Sequence, residues 1–264
     1  MPATAHQPTG LVNALDLTDS EVKFYQDEGY LYLGGLIPAE AVEALRNEVL
    51  EIMDKQLGLT AHDLGHASSA ADKLRQSSQY LEGSALDELI NGEAIKKVAG
   101  QLIQGDAHRY LPFSAVKSGG GGGQFHFHQD NNYTQHEPAM GSINIWVALV
   151  DMSPENGCLQ IVPRSHVDGQ LTSKSSDDGD QHQQLEVDPM TCLPIRMRAG
   201  DAVAFTRWTV HGSGPNTTDQ PRVAYALQFH RSDVRYLDVE SGEQKLLVES
   251  PRFSVGPRTA IEPD

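Results

Sequence analysis

The chain has 264 residues, of which 39% are hydrophobic and 21% charged, a composition typical of a globular protein with a substantial core. Acidic residues outnumber basic ones by 36 to 20, and the net charge of −16 with histidine neutral argues against nucleic acid or an anionic membrane surface as the main partner. Two cysteines are too few for a disulfide framework, and neither a signal-peptide pattern nor an apolar run of about 20 residues occurs. We therefore expect a cytoplasmic protein without a membrane partner.

The N-terminal part of the sequence begins with a predicted tail, a helix and a strand. Residues 1–17 have the composition of a flexible tail. Thr18 and Glu21 form a capping-box pattern that is typical of a helix start, and Gly29 is suited to end that helix. The run YLYLGGLI then predicts a strand.

Further helices are predicted before residue 105. Pro38 fits the first turn of a helix that has apolar residues at helical spacing and Gly58 after its end. Residues 84–103 carry another helical pattern, whereas residues 59–80 are polar and ambiguous.

The remaining sequence consists of short apolar runs separated by Gly, Pro, Asn and Asp. Runs such as SINIWVALV, GCLQIVP and RVAYALQFH are typical of strands in an antiparallel sandwich or barrel. We expect a mainly β (α+β) protein whose single domain, residues 18–240, has a helical part at 18–104 and a β core at 105–235. Residues 241–264 are an expected C-terminal extension.

Two segments of the β-rich part are interpreted as loops. The run GGGGG at 119–123 lacks the Gly-Lys-Ser/Thr ending and the following helix of a phosphate-binding loop, which favours a flexible hairpin connection. Residues 168–184 are polar, and we interpret them as either a lid or a plain insertion. Lys117, just before the glycines, is a candidate for contact with an anionic group, although a solvated lysine is the favoured interpretation.

The segment FHFHQD that follows the glycines contains residue types that bind metal ions. Because successive side chains of a strand point to opposite faces, His126, His128 and Asp130 are expected on one face, and Phe125 and Phe127 on the other. His128 and Asp130 can then bind one ion from the same side. An ordinary half-exposed strand is the alternative interpretation of so short a pattern.

Two histidines and a carboxylate on one side of a metal form the facial triad of non-haem Fe(II) oxygenases, which requires a third ligand from another strand. His211, which follows the apolar run DAVAFT, is a candidate. Arg222 begins the next strand, where it shares a face with two small residues, Ala224 and Ala226. An arginine in this setting can pair with a carboxylate through bidentate hydrogen bonds and leave room for the rest of the molecule.

Several motifs together resemble one protein family. His128-Gln-Asp130, WVALVDMSPENGCLQIVPRSH, GDAVAF and HGSGPNTTDQPR are similar to the phytanoyl-CoA dioxygenase family of Fe(II)/2-oxoglutarate oxygenases, and the resemblance extends over about residues 20–235. It implies a double-stranded β-helix (jelly-roll, cupin-like) core. One departure is Pro163-Arg-Ser-His166, where the family often has Pro-Gly-Ser-His; this is a turn, which we do not expect to affect the chemistry.

The resemblance also implies roles for individual residues. His128, Asp130 and His211 would bind Fe(II). Arg222 would pair with the distal carboxylate of 2-oxoglutarate, assisted by the hydroxyl group of Ser213.

Other residues match less specific positions. Trp146 and Phe113 match positions that line the cofactor pocket, although a structural role in the core is the alternative for Trp146. Asn132 and Tyr133, directly after the metal-binding segment, are candidates for substrate contact or for capping the strand end. His126 is not part of the family's triad, and it is a candidate for the substrate pocket, for tuning a ligand or for packing at the rim.

The reaction implied by the resemblance consumes 2-oxoglutarate and dioxygen, and yields succinate, CO2 and a hydroxylated C–H bond. The carboxylate at Asp130 favours hydroxylation over halogenation, because halogenating members have a small residue there. The sequence has no strongly basic patch for the phosphates of coenzyme A, so we expect a small free metabolite as the substrate. The alternatives are a cupin-type metalloenzyme that does not use 2-oxoglutarate, and a ligand-binding protein that has lost catalysis.

Overall fold

The computed structural model describes residues 10–55, 74–78, 80–121, 123–175, 183–238, 240–248 and 254–257. Its α-helices precede most of the strands. They are Asp19–Glu28 (α1), Ala39–Lys55 (α2), Ala85–Asn91 (α3) and Glu93–Ile103 (α4). Within these ranges no helix combines the length and the apolar character needed to cross a bilayer.

The strands are short and follow one another closely after α4. In chain order they are Tyr30–Leu33 (β1), Leu74–Ser77 (β2), Tyr80–Glu82 (β3), His108–Arg109 (β4), Phe113–Lys117 (β5), Phe125–His128 (β6), His136–Glu137 (β7), Ser142–Ala148 (β8), Leu159–Ile161 (β9), Lys174–Ser175 (β10), Gln183–Gln184 (β11), Leu193–Pro194 (β12), Ala202–Thr206 (β13), His211–Ser213 (β14), Arg222–His230 (β15), Arg235–Leu237 (β16), Gln244–Leu246 (β17) and Ser254–Pro257 (β18).

Two antiparallel sheets form the core, which confirms the predicted jelly-roll class. The larger sheet has the order β1-β13-β8-β15-β5-β2, with β4 paired to β15, and the smaller sheet has the order β12-β9-β14-β6. Alternation along β8 and β15 separates two apolar clusters. One face of the larger sheet packs on the helices, and it includes Ile143, Ile145, Val147, Val223, Tyr225 and Leu227. The other face, with Trp146, Ala148, Ala224 and Ala226, packs with residues of the smaller sheet.

The local signals at the helix ends predict α1 correctly and the later helices incompletely. Thr18 and Glu21 form the predicted capping box, and Gly29 ends α1 with a left-handed φ of 82°. The helical pattern of residues 84–103 is divided into α3 and α4, because Gly92 adopts an extended conformation between them. Gly58, the predicted end of α2, lies outside the described residues.

The predicted division into a helical part and a β core was too simple. β1 is the strand predicted from YLYLGGLI, and it pairs with β13, whereas β2, which pairs with β5, was not predicted. Both strands extend the larger sheet from within residues 18–104. Residues expected in the flexible tail pack instead against the core, through Leu11, Val12, Leu15 and Leu17. In the expected C-terminal extension, β17 pairs with β16 and β18 pairs with β3.

The run of glycines is attached to the connection between β14 and β15. The N–H groups of Gly120 and Gly121 donate to the carbonyl groups of Thr218 and Asn216. A Cβ atom at Gly119 would lie 2.5 Å from the carbonyl oxygen of Asp219, so the two connections approach too closely for a larger residue there.

The end of α1 contacts the segment that leads into β14. The carbonyl oxygen of Gly29 accepts a hydrogen bond of 2.6 Å from the hydroxyl group of Thr209. A Cβ atom at Gly29 would lie 2.8 Å from that hydroxyl oxygen and 2.5 Å from Nδ1 of His166. The absence of a side chain at Gly29 therefore lets α1 pack directly on the turn before His211.

Gly29→Ala should lower the free energy of unfolding by about 2–5 kcal/mol, the sum of left-handed strain and overpacking. Gly35→Ala is the matched control, because Gly35 has a positive φ of 62° but no atom within 4 Å of the position that a Cβ atom would occupy. It should lose only about 1–2 kcal/mol. Chemical denaturation of both variants measures the difference, and equal losses would show that the contact with Thr209 and His166 is unimportant.

Candidate active site

The side chains of His128, Asp130 and His211 meet in a cavity between the two sheets. The Nε2 atoms of His128 and His211 lie 3.7 and 3.5 Å from Oδ1 of Asp130. The three candidate ligand atoms all lie within 4.8 Å of one another. In the part of the chain that the structure describes, no other group of His, Cys, Asp and Glu side chains is arranged in this way.

Strand pairing brings the two histidines together. β14 lies between β6 and β9 in the smaller sheet, and His211 is the direct partner of His128. Further along the pair, Ser213 lies opposite Phe125, so β6 contains one more residue than β14 between these partners. This irregularity is a β-bulge, which changes the direction of the side chains that follow it.

The bulge overturns the predicted alternation in β6. Phe125 lines the cavity together with His128, and their ring centroids are 4.7 Å apart, so the expectation that Phe125 faces away from the metal site was wrong. The side chain of His126 is not among the described residues that line the cavity. A same-face position of His126 beside His128 is therefore not supported.

The hydrogen bonds of the two imidazoles suit a metal site. Nδ1 of His128 lies 2.8 Å from the carbonyl oxygen of His126, and Nδ1 of His211 lies 2.9 Å from that of Thr209. Because a carbonyl oxygen only accepts, each Nδ1 carries the proton and each Nε2 keeps a lone pair directed at the ligand cluster. Burial, together with His128, lowers the pKa of His211 to about 4, so its neutral form prevails at neutral pH.

Asp130 completes the cluster from a turn rather than from a strand. β6 ends at His128, and Asp130 begins a 3-10 turn. Its Oδ2 atom accepts a hydrogen bond of 3.3 Å from Asn144, while Oδ1 faces the imidazoles. Burial would raise the pKa of the Asp130 carboxyl group, but the neighbouring imidazoles of His211 and His128 and the charge of Arg207 hold it below its usual range. The carboxylate form is therefore available to a cation.

Arg207 stabilises the turn that carries Asp130, and the sequence analysis missed it. Its Nη2 atom donates to the carbonyl oxygens of Asp130 and Thr134, at 2.9 Å each, and its Nε atom donates to Oδ1 of Asn131. Arg207 is buried and lines the cavity. An arginine just after a strand resembles a solvated edge residue, so no local signal identified this role.

A second polar region of the cavity is formed by Arg222 and Ser213. Arg222 is 1% exposed, and its guanidinium carbon lies 5.2 Å from the ring centroid of Trp146. Its Nε atom is buried without a hydrogen-bond partner among the described residues. Burial lowers the pKa of Arg222 to about 10, which still leaves it positively charged at neutral pH. Its Nη1 atom donates to the carbonyl oxygen of Ala115 at 3.4 Å, but no carboxylate in the described ranges pairs with it. A buried guanidinium group without a carboxylate partner is suited to bind an anion that enters the cavity.

Lys117 is fully buried, so the expectation of a solvated lysine was wrong. Its Nζ atom donates to the hydroxyl oxygen of Ser213 at 2.6 Å and to the carbonyl oxygen of Gly214. Lys117 also lies directly opposite Arg222 in the pairing of β5 with β15. The ammonium group is enclosed by Ser213 and Gly214, which belong to a distant part of the sequence, and the unpredicted edge strand β2 pairs with β5 beside it.

Aromatic residues form the apolar wall beside Arg222. Phe113 and Trp146 pack edge to face with ring centroids 6.2 Å apart, and both line the cavity. The cavity has a volume of about 170 Å³, a size suited to small molecules. The positions of Phe113 and Trp146 agree with their predicted place in the pocket; their contact with a co-substrate remains a prediction.

Asn132 and Tyr133 have different surroundings. The side chain of Asn132 accepts from the N–H of Gln129 and donates to the carbonyl oxygen of Leu171, and it is not among the described residues that line the cavity. Tyr133 does line the cavity, with its ring centroid 5.4 Å from that of His128. A substrate contact is therefore supported for Tyr133 but not for Asn132.

The described parts of the polar segment 168–184 are attached beside the ligand cluster. Nε2 of Gln129 donates to the carbonyl oxygen of Gly169, and its Oε1 atom accepts from the N–H of Leu171. The N–H of Gln183 donates to the hydroxyl group of Tyr133. The sequence did not indicate that Gln129, between the two metal-ligand candidates, anchors this segment.

Comparisons with known proteins point to one protein family. Residues 25–224 match the sequence profile of phytanoyl-CoA dioxygenase. Phytanoyl-CoA dioxygenase domain-containing protein 1 of Danio rerio is 29% identical in an alignment of 270 positions, gaps included, that covers 82% of this chain and 91% of that protein. Methylphosphonate hydroxylase of Gimesia maris is 28% identical over 218 residues, which cover 81% of each chain.

A solved structure shares the fold. It is the non-heme alpha ketoglutarate dependent carbocyclase SnoK from nogalamycin biosynthesis, which superimposes with a TM-score of 0.70 at 22% identity and covers 91% of this chain and 97% of that one. At this level of identity the likeness establishes the architecture, and the chemistry has to be argued from the side chains.

The ligand cluster predicts that metal stabilises the folded chain. Anaerobic addition of Fe(II) should raise the melting temperature, since an ion at roughly a hundredfold excess over its Kd that binds only the folded state adds about 2.7 kcal/mol. Asp130→Ala should abolish the shift, whereas Asp106→Ala, which changes an exposed aspartate, should retain it. An unchanged shift in Asp130→Ala would place the metal elsewhere.

Proposed function

This chain belongs to the phytanoyl-CoA dioxygenase family, and we propose that it is an Fe(II)- and 2-oxoglutarate-dependent dioxygenase that hydroxylates an unactivated C–H bond of a small-molecule metabolite. The observation that carries the proposal is one cavity that contains both a His-Asp-His cluster and a buried arginine, Arg222, with no carboxylate partner among the described residues. The cluster alone would suit many metalloenzymes. The arginine adds a site for a carboxylate on a second reactant.

The donor set fits Fe(II). Nε2 of His128, Nε2 of His211 and Oδ1 of Asp130 would hold the ion, and two histidines with one carboxylate are the ligand set of non-haem Fe(II) oxygenases. When bound, the metal supplies the chemistry of oxidative decarboxylation, in which 2-oxoglutarate and dioxygen give succinate and CO2 and the substrate gains a hydroxyl group.

The surrounding residues keep these donors oriented. The carbonyl oxygens of His126 and Thr209 accept the Nδ1 protons of the two imidazoles, which fixes both rings with Nε2 towards the ion. Asn144 donates to Oδ2 of Asp130, so that Oδ1 is the oxygen left for the metal. These contacts are the second layer of support that metal sites generally require.

Arg222 and Ser213 are proposed to bind the distal carboxylate of 2-oxoglutarate. Both line the cavity, and the guanidinium group of Arg222 has no carboxylate partner among the described residues. Trp146 and Phe113 cover the aliphatic part of the same region and exclude water from it. Exclusion of water strengthens the ionic contact, because charges interact more strongly in a low dielectric.

The substrate is proposed to be a small free molecule. A cavity volume of about 170 Å³ and the position of Tyr133 beside His128 support this class, as does the similarity to methylphosphonate hydroxylase. The net charge of −16 supports the absence of nucleic acid as a partner. A cytoplasmic location is part of the proposal and rests on the sequence alone.

Two alternatives are separated from the proposal by simple measurements. A cupin-type metalloenzyme that does not use 2-oxoglutarate would bind Fe(II) without the weak visible absorption that forms when 2-oxoglutarate chelates the ion under anaerobic conditions. A ligand-binding protein without catalysis would show that absorption but produce no succinate when dioxygen and a library of candidate substrates are added.

Arg222→Ala should weaken 2-oxoglutarate binding by roughly 30-fold or more, the effect of removing one partner of a buried hydrogen-bonded charge pair. Anaerobic titration followed by visible absorption measures it. The melting-temperature shift with Fe(II) should remain, because Arg222 is not a proposed metal ligand. Arg198→Ala, at an exposed arginine, is the control. If Arg222→Ala instead loses the Fe(II) shift, the proposed division of roles is incorrect.

A further inference from the structure

Two buried cations lie side by side near Ser213. Lys117 is 0% and Arg222 is 1% exposed, and the antiparallel register of β5 and β15 places them opposite each other. Neither forms an ion pair with a carboxylate anywhere in the described ranges. Buried charges are normally paired, so two unpaired cations in one region call for a negative charge that is not part of the chain.

The contact between Lys117 and Ser213 sets the direction of the serine proton. In its charged form Lys117 has only donors, so in the 2.6 Å contact the hydroxyl oxygen of Ser213 is then the acceptor. The proton of Ser213 must then point to another acceptor. Because Ser213 lines the cavity, an anion there would accept that hydrogen bond.

The chain itself offers no substitute for this anion among its described residues. Cys158 is the acidic group that lies near both cations, but burial raises the pKa of its thiol group, so the thiol is neutral at neutral pH. Burial and the charge of Arg222 lower the pKa of Lys117 well below its usual value. An anion in the cavity would offset this repulsion and stabilise the charged form of Lys117.

We propose that Lys117 is a positioning residue for the co-substrate, which orients the Ser213 hydroxyl group towards the distal carboxylate and places a second positive charge behind it. The inference rests on the proposed function, because it concerns the 2-oxo acid bound by Arg222. The role proposed for Lys117 makes the site selective: a 2-oxo acid that ends in a carboxylate binds more tightly than one that ends in a methyl group. A purely structural lysine would stabilise the strands without affecting that discrimination.

The test compares two ligands that differ only at the distal end. 2-Oxoglutarate and 2-oxopentanoate have the same number of carbons, but the second ends in a methyl group. Calorimetric titration of Zn(II)-loaded wild type, Lys117→Met and Lys23→Met gives the dissociation constants without turnover. Lys23 is the control, because its side chain is 72% exposed.

Lys117→Met should bind 2-oxoglutarate at least about tenfold more weakly than wild type, since it loses a charge-assisted donor in a buried site. Its affinity for 2-oxopentanoate should change by less than about twofold, because that ligand has no group for Lys117 to act on. The further loss from Ser213→Ala to Lys117→Met/Ser213→Ala should be smaller than the loss from wild type to Lys117→Met, since part of the effect of Lys117 acts through Ser213.

A result in which Lys117→Met binds both ligands as wild type does would overturn the inference and leave the proposed function intact. Equal weakening for both ligands would also overturn it, since that is the signature of a structural role. If the wild type binds Zn(II) but not 2-oxoglutarate, the proposed function itself fails.

A measurement on the wild type covers the case in which the variant does not fold. In Zn(II)-loaded protein labelled with nitrogen-15 at lysine Nζ, 2-oxoglutarate should shift the resonance of one buried ammonium group, and 2-oxopentanoate should leave it in place. Lysine spectra that respond equally to both ligands, or to neither, would contradict the proposal.

Discussion

The pairing of β14 with β6 is the constraint on which the active site depends. It places His211 directly opposite His128, and it brings both Nε2 atoms within 3.7 Å of Oδ1 of Asp130. Ser213 is the last residue of the same three-residue strand, and it lines the cavity in the second polar region, beside Arg222. One short strand therefore fixes the distance between the candidate metal ligands and the candidate carboxylate site. A shift of β14 would therefore move the metal-ligand candidates and the carboxylate site together.

The buried charges in the cavity are suited to ligands of opposite charge. Arg207, Arg222 and Lys117 are buried cations, whereas Asp130 is the carboxylate in contact with the two imidazoles. Arg207 is satisfied by oxygens of the turn around Asp130, but Arg222 and Lys117 are not satisfied by any acid of the described chain. A divalent ion at the imidazoles and a dicarboxylate reaching towards Arg222 would neutralise both regions. The energetic cost of burying these groups is thus offset on ligand binding rather than on folding.

Local chemistry in the sequence predicted the parts of this arrangement that depend on short-range patterns. The capping box at Thr18, the alternation along β8 and β15, and the family motifs around His128 and His211 all survive in the structure. The predictions that were wrong concern features that depend on tertiary contacts. The bulge in β6 turned Phe125 into the cavity, and contacts with Ser213 of the opposite sheet and with Gly214 enclose Lys117. Arg207 and Gln129 gained their roles from segments that are distant in sequence, which no local pattern encodes.

The central claim is that this cavity couples the consumption of 2-oxoglutarate to the reduction of dioxygen. The most direct measurement is turnover of the Fe(II)-loaded protein with 2-oxoglutarate under ¹⁸O₂, followed by mass spectrometry of the products. Turnover should give succinate that carries one heavy oxygen atom, formed in equal amount to CO2. Unconsumed 2-oxoglutarate in the metal-loaded protein, or succinate without the heavy isotope, would contradict it.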